Sequence, residues 1–432
     1  MHGHKKSVNN VAVADDILLN FTPFLKLYKD GRIERVLKSP FVPASENPAA
    51  NRGVATRDVV IDHGTGVSAR LFLPTRAATM AAGSGRKKKL PLVVYIHGGS
   101  FCTESAFCRT YHSHATSLAA AAGALVVSVE YRLAPEHPVP AAYDDAWSAL
   151  RWVASLSDPW LAGHADPRRT FLAGDSAGGN IAYHTAVRAG RDGGVGGIGI
   201  EGVIMVQPYF WGAERLPSEE VWDGAAVFPA YGVDWLWPFV TARQAGNDDP
   251  RLNPPDEEIA SLTCRRVLVA VAEKDTLRER GVQLFARIRD YYGGGGGGEV
   301  TLVESEGEDH GFHLYSPLRA TSKKLMESIV HFINNQEATE VTTPQRPIIL
   351  GVPRRPFMDE FGYGMAMKNC SDDDPTCMCM AYGGTSKIGG RGKAAAFKKA
   401  SYGLFTGPVR PDKAHKGPSA LALAVTHVIK NF

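Results

Sequence analysis

From Thr56 to about Gln336 short aliphatic runs alternate with stretches of helical periodicity, and this alternation restricts the fold more than any other feature. LPLVVYIH (90–97), ALVVSVEY (124–131), RTFLAG (169–174), GVIMVQPY (202–209), RRVLVAVAE (265–273) and EVTLVE (299–304) are nearly unbroken apolar runs, as expected of strands covered on both faces. Helices are predicted between them near 110–122, 143–156, 177–189, 276–291 and 320–335. DVVID (58–62) and VSARLFLP (67–74) read as an opening hairpin around residues 63–66, because antiparallel strands can share a tight turn. The expectation is a mostly parallel α/β sheet of about eight strands with helices on both faces.

Three stretches break the rhythm. Residues 76–89 are small, polar and basic, and read as a loop between two strands. The hexaglycine 293–298 reads as a flexible connector, since a phosphate loop needs a defined pattern and a following helix. Phe210, Trp211, Trp222, Phe228, Tyr231, Trp235, Trp237 and Phe239 crowd one insertion. They fit either a helical cap lining a pocket (about 210–250) or ordinary core packing of a helix pair.

Composition excludes several classes. At 44% hydrophobic and 22% charged, the 432-residue chain is neither wholly disordered nor collagen-like. No run approaches the roughly 18 consecutive apolar residues of a membrane helix, so no membrane span is expected. MHGHKKSVNNVAVADD has no apolar core before its acidic pair, so no secretory signal is expected. Six cysteines without a framework read as thiols of a reducing compartment, and a cytoplasmic enzyme is expected. Residues 341–432 hold 13 Lys+Arg against 6 Asp+Glu, so a basic extension (337–432) follows a mildly acidic body (1–336). Sparse aliphatics suggest a disordered extension with at most a short helix near 420–432. Neither region has a basic stripe or motif for nucleic acid, and no such partner is expected. No feature of the sequence sets an oligomeric state.

Gly174-Asp175-Ser176-Ala177-Gly178 is a G-x-S-x-G sequence between a predicted strand and a predicted helix. In that context the turn holds its serine in strained backbone angles, and the glycines two residues either side let neighbouring chain pass close by. The helix behind Ser176 directs amide donors and its positive end toward the reacting centre. The alternative is a Gly/Ser turn that merely caps a helix. Independently, His97-Gly98-Gly99-Ser100-Phe101 follows the strand LPLVVYIH, where an HGGG-type loop supplies oxyanion donors. The Gly98, Gly99 and Ala177 N–H groups are expected to form a three-donor cradle, each donor worth about 2.7–4 kcal/mol on removal. His97 is expected to brace the loop rather than act as a base.

A hydroxyl nucleophile needs a base, and the base an orienting carboxylate. In an α/β-hydrolase the chain order is serine, acid, histidine. Lys274-Asp275-Thr276 follows one strand and Glu308-Asp309-His310-Gly311 the next, both beyond carboxyl ends on the sheet edge of Ser176. Asp275 is the expected acid and His310 the expected base. Glu273 and Asp309 rival the first, and His313 the second. His112 and His114 stand two apart on a helix and point to different faces, so they share no metal. Cys370, Cys377 and Cys379 lack a second paired ligand set, and no zinc site is expected. Gly190–Gly199 has no GxGxxG opening a helix and reads as loop. No metal, NAD or flavin is implied.

These residues together resemble the plant carboxylesterase family, in the hormone-sensitive-lipase-like branch of the α/β-hydrolases. The resemblance covers roughly residues 13–336. It rests on PFLKLYKDGRIERV (23–36), HGGSF (97–101), VEYRLAPEHPVPAAYDDAW (129–147), GDSAGGN (174–180), VAEKDTLRERG (271–281) and EDHGFH (308–313). It implies a serine esterase acting on small-molecule esters, with nucleophile Ser176, acid Asp275, base His310 and an oxyanion loop at 97–100. Ser100 stands where many members have a third glycine. Residues 15–35 match a stretch that packs over the active-site mouth in relatives, which makes about 13–50 a second cap element. The branch also contains gibberellin receptors, which replace the histidine by an aliphatic residue, and dehydratases and tuliposide-converting enzymes that use the same pocket. His310 is present here, which points away from a receptor.

Overall fold

The computed structural model describes residues 16–75, 89–220 and 229–335. Its centre is an eight-stranded sheet formed by β4 (Val54–Val60), β5 (Ser68–Pro74), β6 (Leu90–Ile96), β7 (Leu125–Glu130), β8 (Ala165–Asp175), β9 (Ile200–Val206), β10 (Arg266–Ala272) and β11 (Glu299–Ser305). The order is β11-β10-β9-β8-β6-β7-β5-β4. Neighbours from β11 through β7 pair in parallel, whereas β5 pairs antiparallel with both β7 and β4. The burial of each strand follows its place. Every residue of β6 and β10 is buried, whereas β4 and β11, at the two edges, are partly exposed.

Period-two alternation sends the interior strands to two cores. On one face Val93, Tyr95, Phe171, Ile204 and Leu268 pack with Tyr111, Leu118, Phe332 and Ile333 of helices α1 (Arg109–Ala122) and α6 (Ala320–Asn334). On the other, Leu92, Val94, Leu172, Val203 and Val269 pack with α2 (Pro140–Ser155), α3 (Ala177–Arg191), α4 (Ala230–Val240) and α5 (Arg278–Tyr291). Burying each such side chain contributes about 1.5–3 kcal/mol, which ties the helices to their faces without strong local caps.

Several details depart from the sequence reading. Residues 17–35 form a separate antiparallel sheet, β1 (Ile17–Phe21), β2 (Leu25–Tyr28) and β3 (Ile33–Arg35). It reaches the main body through Phe21 against Phe239 and through Arg35, which donates to the carbonyls of Cys102 and Ala134 and pairs with Glu136. β8 begins at Ala165, four residues earlier than RTFLAG suggests. The hexaglycine opens as one turn of π-helix (Tyr292–Gly296) that prolongs α5. In the aromatic insertion Trp211 and Trp237 are fully buried core residues, while Trp235 and Phe239 line a groove. Trp222, Phe228, residues 76–88 of the expected loop, Cys370, Cys377, Cys379 and the basic extension lie outside the described residues. Among the described residues no helix is long and apolar enough to cross a membrane.

Candidate active site

The strand order places the chemistry. β8 lies between β6 and β9, so the turn after β8 is flanked by the glycine loop after β6 and by the segment after β9. The loops after β10 and β11 complete the same edge. Ser176 follows β8 directly with φ +52° and ψ −121°, outside the helical and extended regions. The flanking glycines are required sterically: a Cβ on Gly178 would collide with the backbone carbonyl oxygens of Ile96 and His97, and one on Gly174 with the Gly178 carbonyl. The Ser176 hydroxyl makes no capping bond to α3, which separates this turn from a mere helix cap. Its Oγ lies 2.9 Å from His310 Nε2.

His310 Nδ1 lies 2.8 Å from Asp275 Oδ2, and Asp275 Oδ1 accepts the Leu277 N–H at 3.0 Å. With the proton on Nδ1, Nε2 is the acceptor for the serine hydroxyl. Burial, the largest single influence, lowers the imidazole pKa, but the carboxylates of Asp275, Asp175 and Asp309, with Asp275 the strongest of the three, together hold His310 above the ordinary histidine value. The rivals are engaged elsewhere. Glu273 accepts the Gly307 N–H, and Asp309 accepts the N–H of His310 itself. His313 is buried behind the base, edge-on to His114, and burial keeps it neutral well below the ordinary value.

The glycine loop corrects one expectation. Gly98 N–H donates to the Tyr111 hydroxyl at 2.9 Å and to Asp175 Oδ1 at 3.1 Å. That engagement removes Gly98 from the expected cradle. Beyond it, Gly99, Ser100 and Phe101 all have positive φ (103°, 56°, 59°), and the Gly99 carbonyl accepts from Cys102 and Thr103. Among the described residues the N–H groups of Gly99, Ser100 and Ala177 make no hydrogen bond. Ser100, which stands where many relatives have a third glycine, thus keeps a free amide where Gly98 does not. His97 is fully buried, stacked on Tyr131, with Nδ1 on the Gly98 carbonyl, and burial lowers it to about 4. It braces the loop as a neutral ring.

Asp175 anchors the assembly. Its carboxylate also accepts the Tyr95 and Tyr111 hydroxyls at 2.7 and 2.9 Å. Sequence reasoning missed Asn180, one turn into α3, whose amide donates to the carbonyls of Tyr209 and Arg251 while its oxygen accepts from Tyr143. A polar side chain with three backbone or hydroxyl partners leaves no periodic signature. A groove of about 1240 Å³ runs between Leu18, Leu27 and Ile33 on one side and Trp235 and Phe239 on the other. No residue of the Ser176 cluster lines it. Among the described residues no three His, Cys, Asp or Glu side chains are grouped to hold a metal.

Comparison with known proteins agrees with this fold. A family described as having the α/β hydrolase fold matches residues 93–314. A 2-hydroxyisoflavanone dehydratase of Glycyrrhiza echinata is 40% identical over 341 residues, 76% of this chain and 99% of that protein. Probable carboxylesterase 5 of Arabidopsis thaliana is 38% identical over 327 residues, 74% of this chain and 98% of the relative. Among solved structures an esterase from Pyrobaculum calidifontis, 28% identical, superposes with TM-score 0.53 over 64% of this chain and 84% of its own. Fold, coverage and identity agree, and the chain belongs to the plant carboxylesterase family of the α/β hydrolases.

Proposed function

We propose that this carboxylic ester hydrolase cleaves small-molecule carboxylic esters through an acyl-enzyme on Ser176. Ser176 Oγ attacks the ester carbonyl carbon while its proton passes to His310 Nε2. The resulting oxyanion is held by the N–H groups of Gly99, Ser100 and Ala177. Collapse expels the alcohol, which takes the proton from His310. Water, deprotonated by the same imidazole, then attacks the acyl carbon; the acyl–Oγ bond breaks, Oγ takes the proton back from His310, and the acid leaves. Asp275 stabilises the imidazolium in both halves. The observation that carries the proposal is His310 set between Ser176 Oγ at 2.9 Å and Asp275 Oδ2 at 2.8 Å. A fluorophosphonate probe tests it: stoichiometric label on the peptide containing Ser176 is expected. Folded protein that takes up no label would favour a non-hydrolytic, gibberellin-like receptor on the same pocket.

A second reading, elimination of water from a 2-hydroxyisoflavanone, is favoured by the 40% identity to the dehydratase. Turnover of that compound against a short-chain p-nitrophenyl ester separates the two. The proposal also includes a cytosolic location, supported by the buried, free thiols of Cys102, Cys108 and Cys264. A fluorescent fusion of the full chain tests it.

A further inference from the structure

We propose that Gln207 is a positioning residue for the base, an inference that rests on the reading of His310 given above. Gln207 immediately follows β9, next to Val206, whose carbonyl accepts the Ser176 N–H at 2.9 Å. Its side chain is buried, at 2% exposure for the residue. Oε1 accepts the Gly311 N–H at 2.8 Å, and Nε2 donates to the Asp309 carbonyl at 3.3 Å. One primary amide thus grips the peptide groups on both sides of His310.

The loop needs such a grip. β11 ends at Ser305, and beyond it the sheet supplies no ladder. Lys274 N–H holds the Glu308 carbonyl, and Arg319 and Thr321 hold the Glu308 carboxylate, all upstream of the base. At residues 309 and 311 the Gln207 amide supplies the donor and acceptor that a neighbouring strand would otherwise present. A carboxylate of the same length lacks the donor, and a methionine lacks both groups. Gln207 also sits at φ +48°, a left-handed conformation that a non-glycine residue adopts reluctantly, with its N–H bonded to the Ala270 carbonyl at 2.7 Å. Such positions persist where surrounding structure enforces them, often beside functional groups. The imidazole must meet Ser176 and Asp275 together, and a displacement of about 1 Å can cost on the order of 10²-fold in rate.

The test measures kcat and KM on p-nitrophenyl butyrate for wild type, Gln207→Met, Gln207→Glu and His310→Ala. Rates of wild type and the Gln207 variants are expressed per site titrated with fluorophosphonate, so unfolded protein is not counted; that of His310→Ala, which lacks the base the probe needs, is expressed per mole of protein folded by circular dichroism. The expected result is a kcat at least about tenfold lower in Gln207→Met, equivalent to about 1.4 kcal/mol. Its KM stays within about twofold of wild type, and Gln207→Glu, which keeps the acceptor for Gly311, falls in between. A purely structural residue would change the titratable fraction and leave kcat per site alone. Wild-type kcat per site in either Gln207 variant overturns the proposal, and Gln207→Glu decides it if Gln207→Met does not fold. Full activity in His310→Ala would instead overturn the assignment of the base.

Discussion

The Asp175 carboxylate accepts the Gly98 N–H at 3.1 Å, and this bond joins the turn that carries Ser176 to the loop that follows β6. Tyr111 closes the link from the other side, accepting from Gly98 and donating to Asp175 Oδ2. Burial pushes the Asp175 carboxyl up from its usual range, against the lowering by the two tyrosine hydroxyls and the amide that serve it. Tyr111→Phe keeps the ring and removes both bonds. The Gly98 N–H keeps Asp175 Oδ1, but the buried Asp175 Oδ2 loses the Tyr111 hydroxyl; an unsatisfied buried acceptor costs about 1–3 kcal/mol, so a loss of that size is expected in urea unfolding, with a lower kcat from the loosened loop. Unchanged stability and kcat would show that the link is incidental.

Gly178→Ala tests how closely α3 approaches β6. The added methyl meets two backbone carbonyls, which cannot rotate away as a side chain would. Overpacking of this kind typically costs about 1–3 kcal/mol, and here the displaced segment carries His97 and the donor loop. A drop in Tm together with at least tenfold lower kcat is expected; a variant indistinguishable from wild type would refute the close approach.

The pH profile follows from the direction of the His310 shift. The imidazole must be neutral to accept the serine proton, so kcat/KM rises as pH passes upward through its pKa. Because Asp275, with Asp175 and Asp309, holds that pKa above the ordinary histidine value against burial, the acidic limb is expected at a higher pH than an unperturbed histidine would give. Asp275→Asn removes the strongest of these attractions, while burial, which lowers the pKa, stays. Its limb should move to lower pH, with kcat reduced on the order of 10⁴-fold. A limb that stays put or moves upward in Asp275→Asn contradicts the assignment.

Much of this arrangement was legible in the sequence, for identifiable reasons. β6 through β10 read as strands because both faces are buried and the code reduces to unbroken aliphatics. The three short strands within 17–35 did not, since ILLNF, LKLY and IER mix polar and apolar residues on a small, partly exposed sheet. Ser176, Asp275 and His310 were readable because each stands just past a strand, in a fixed chain order. The direction of an amide is not encoded that way. Gly98 and Gly99 look alike in the sequence, and only the fold turns one of them toward Asp175. Gln207 was invisible for a related reason, as its partners lie 102 and 104 residues away.

The domain boundary remains a proposal with a direct test. Every residue of the Ser176 cluster lies before residue 336, and α6 buries Leu325, Ile329, Phe332 and Ile333 against the sheet. A chain ending at Glu337 is expected to fold and keep full kcat/KM. Aggregation, or a loss beyond tenfold (about 1.4 kcal/mol), would show that the basic extension belongs to the folded body.

Attack by the Ser176 hydroxyl is tested by the hydrolysis of p-nitrophenyl butyrate by wild type and Ser176→Ala. The substitution removes one oxygen at a buried position and leaves the glycines, His310 and Asp275 in place. Removing a nucleophile of this kind lowers kcat by about 10⁶-fold, with residual catalysis of about 10³–10⁴ over water from the remaining donors. Wild-type turnover is expected, with a loss of at least several orders of magnitude in a Ser176→Ala protein whose circular dichroism spectrum is unchanged. Hydrolysis that survives the substitution undiminished would contradict it.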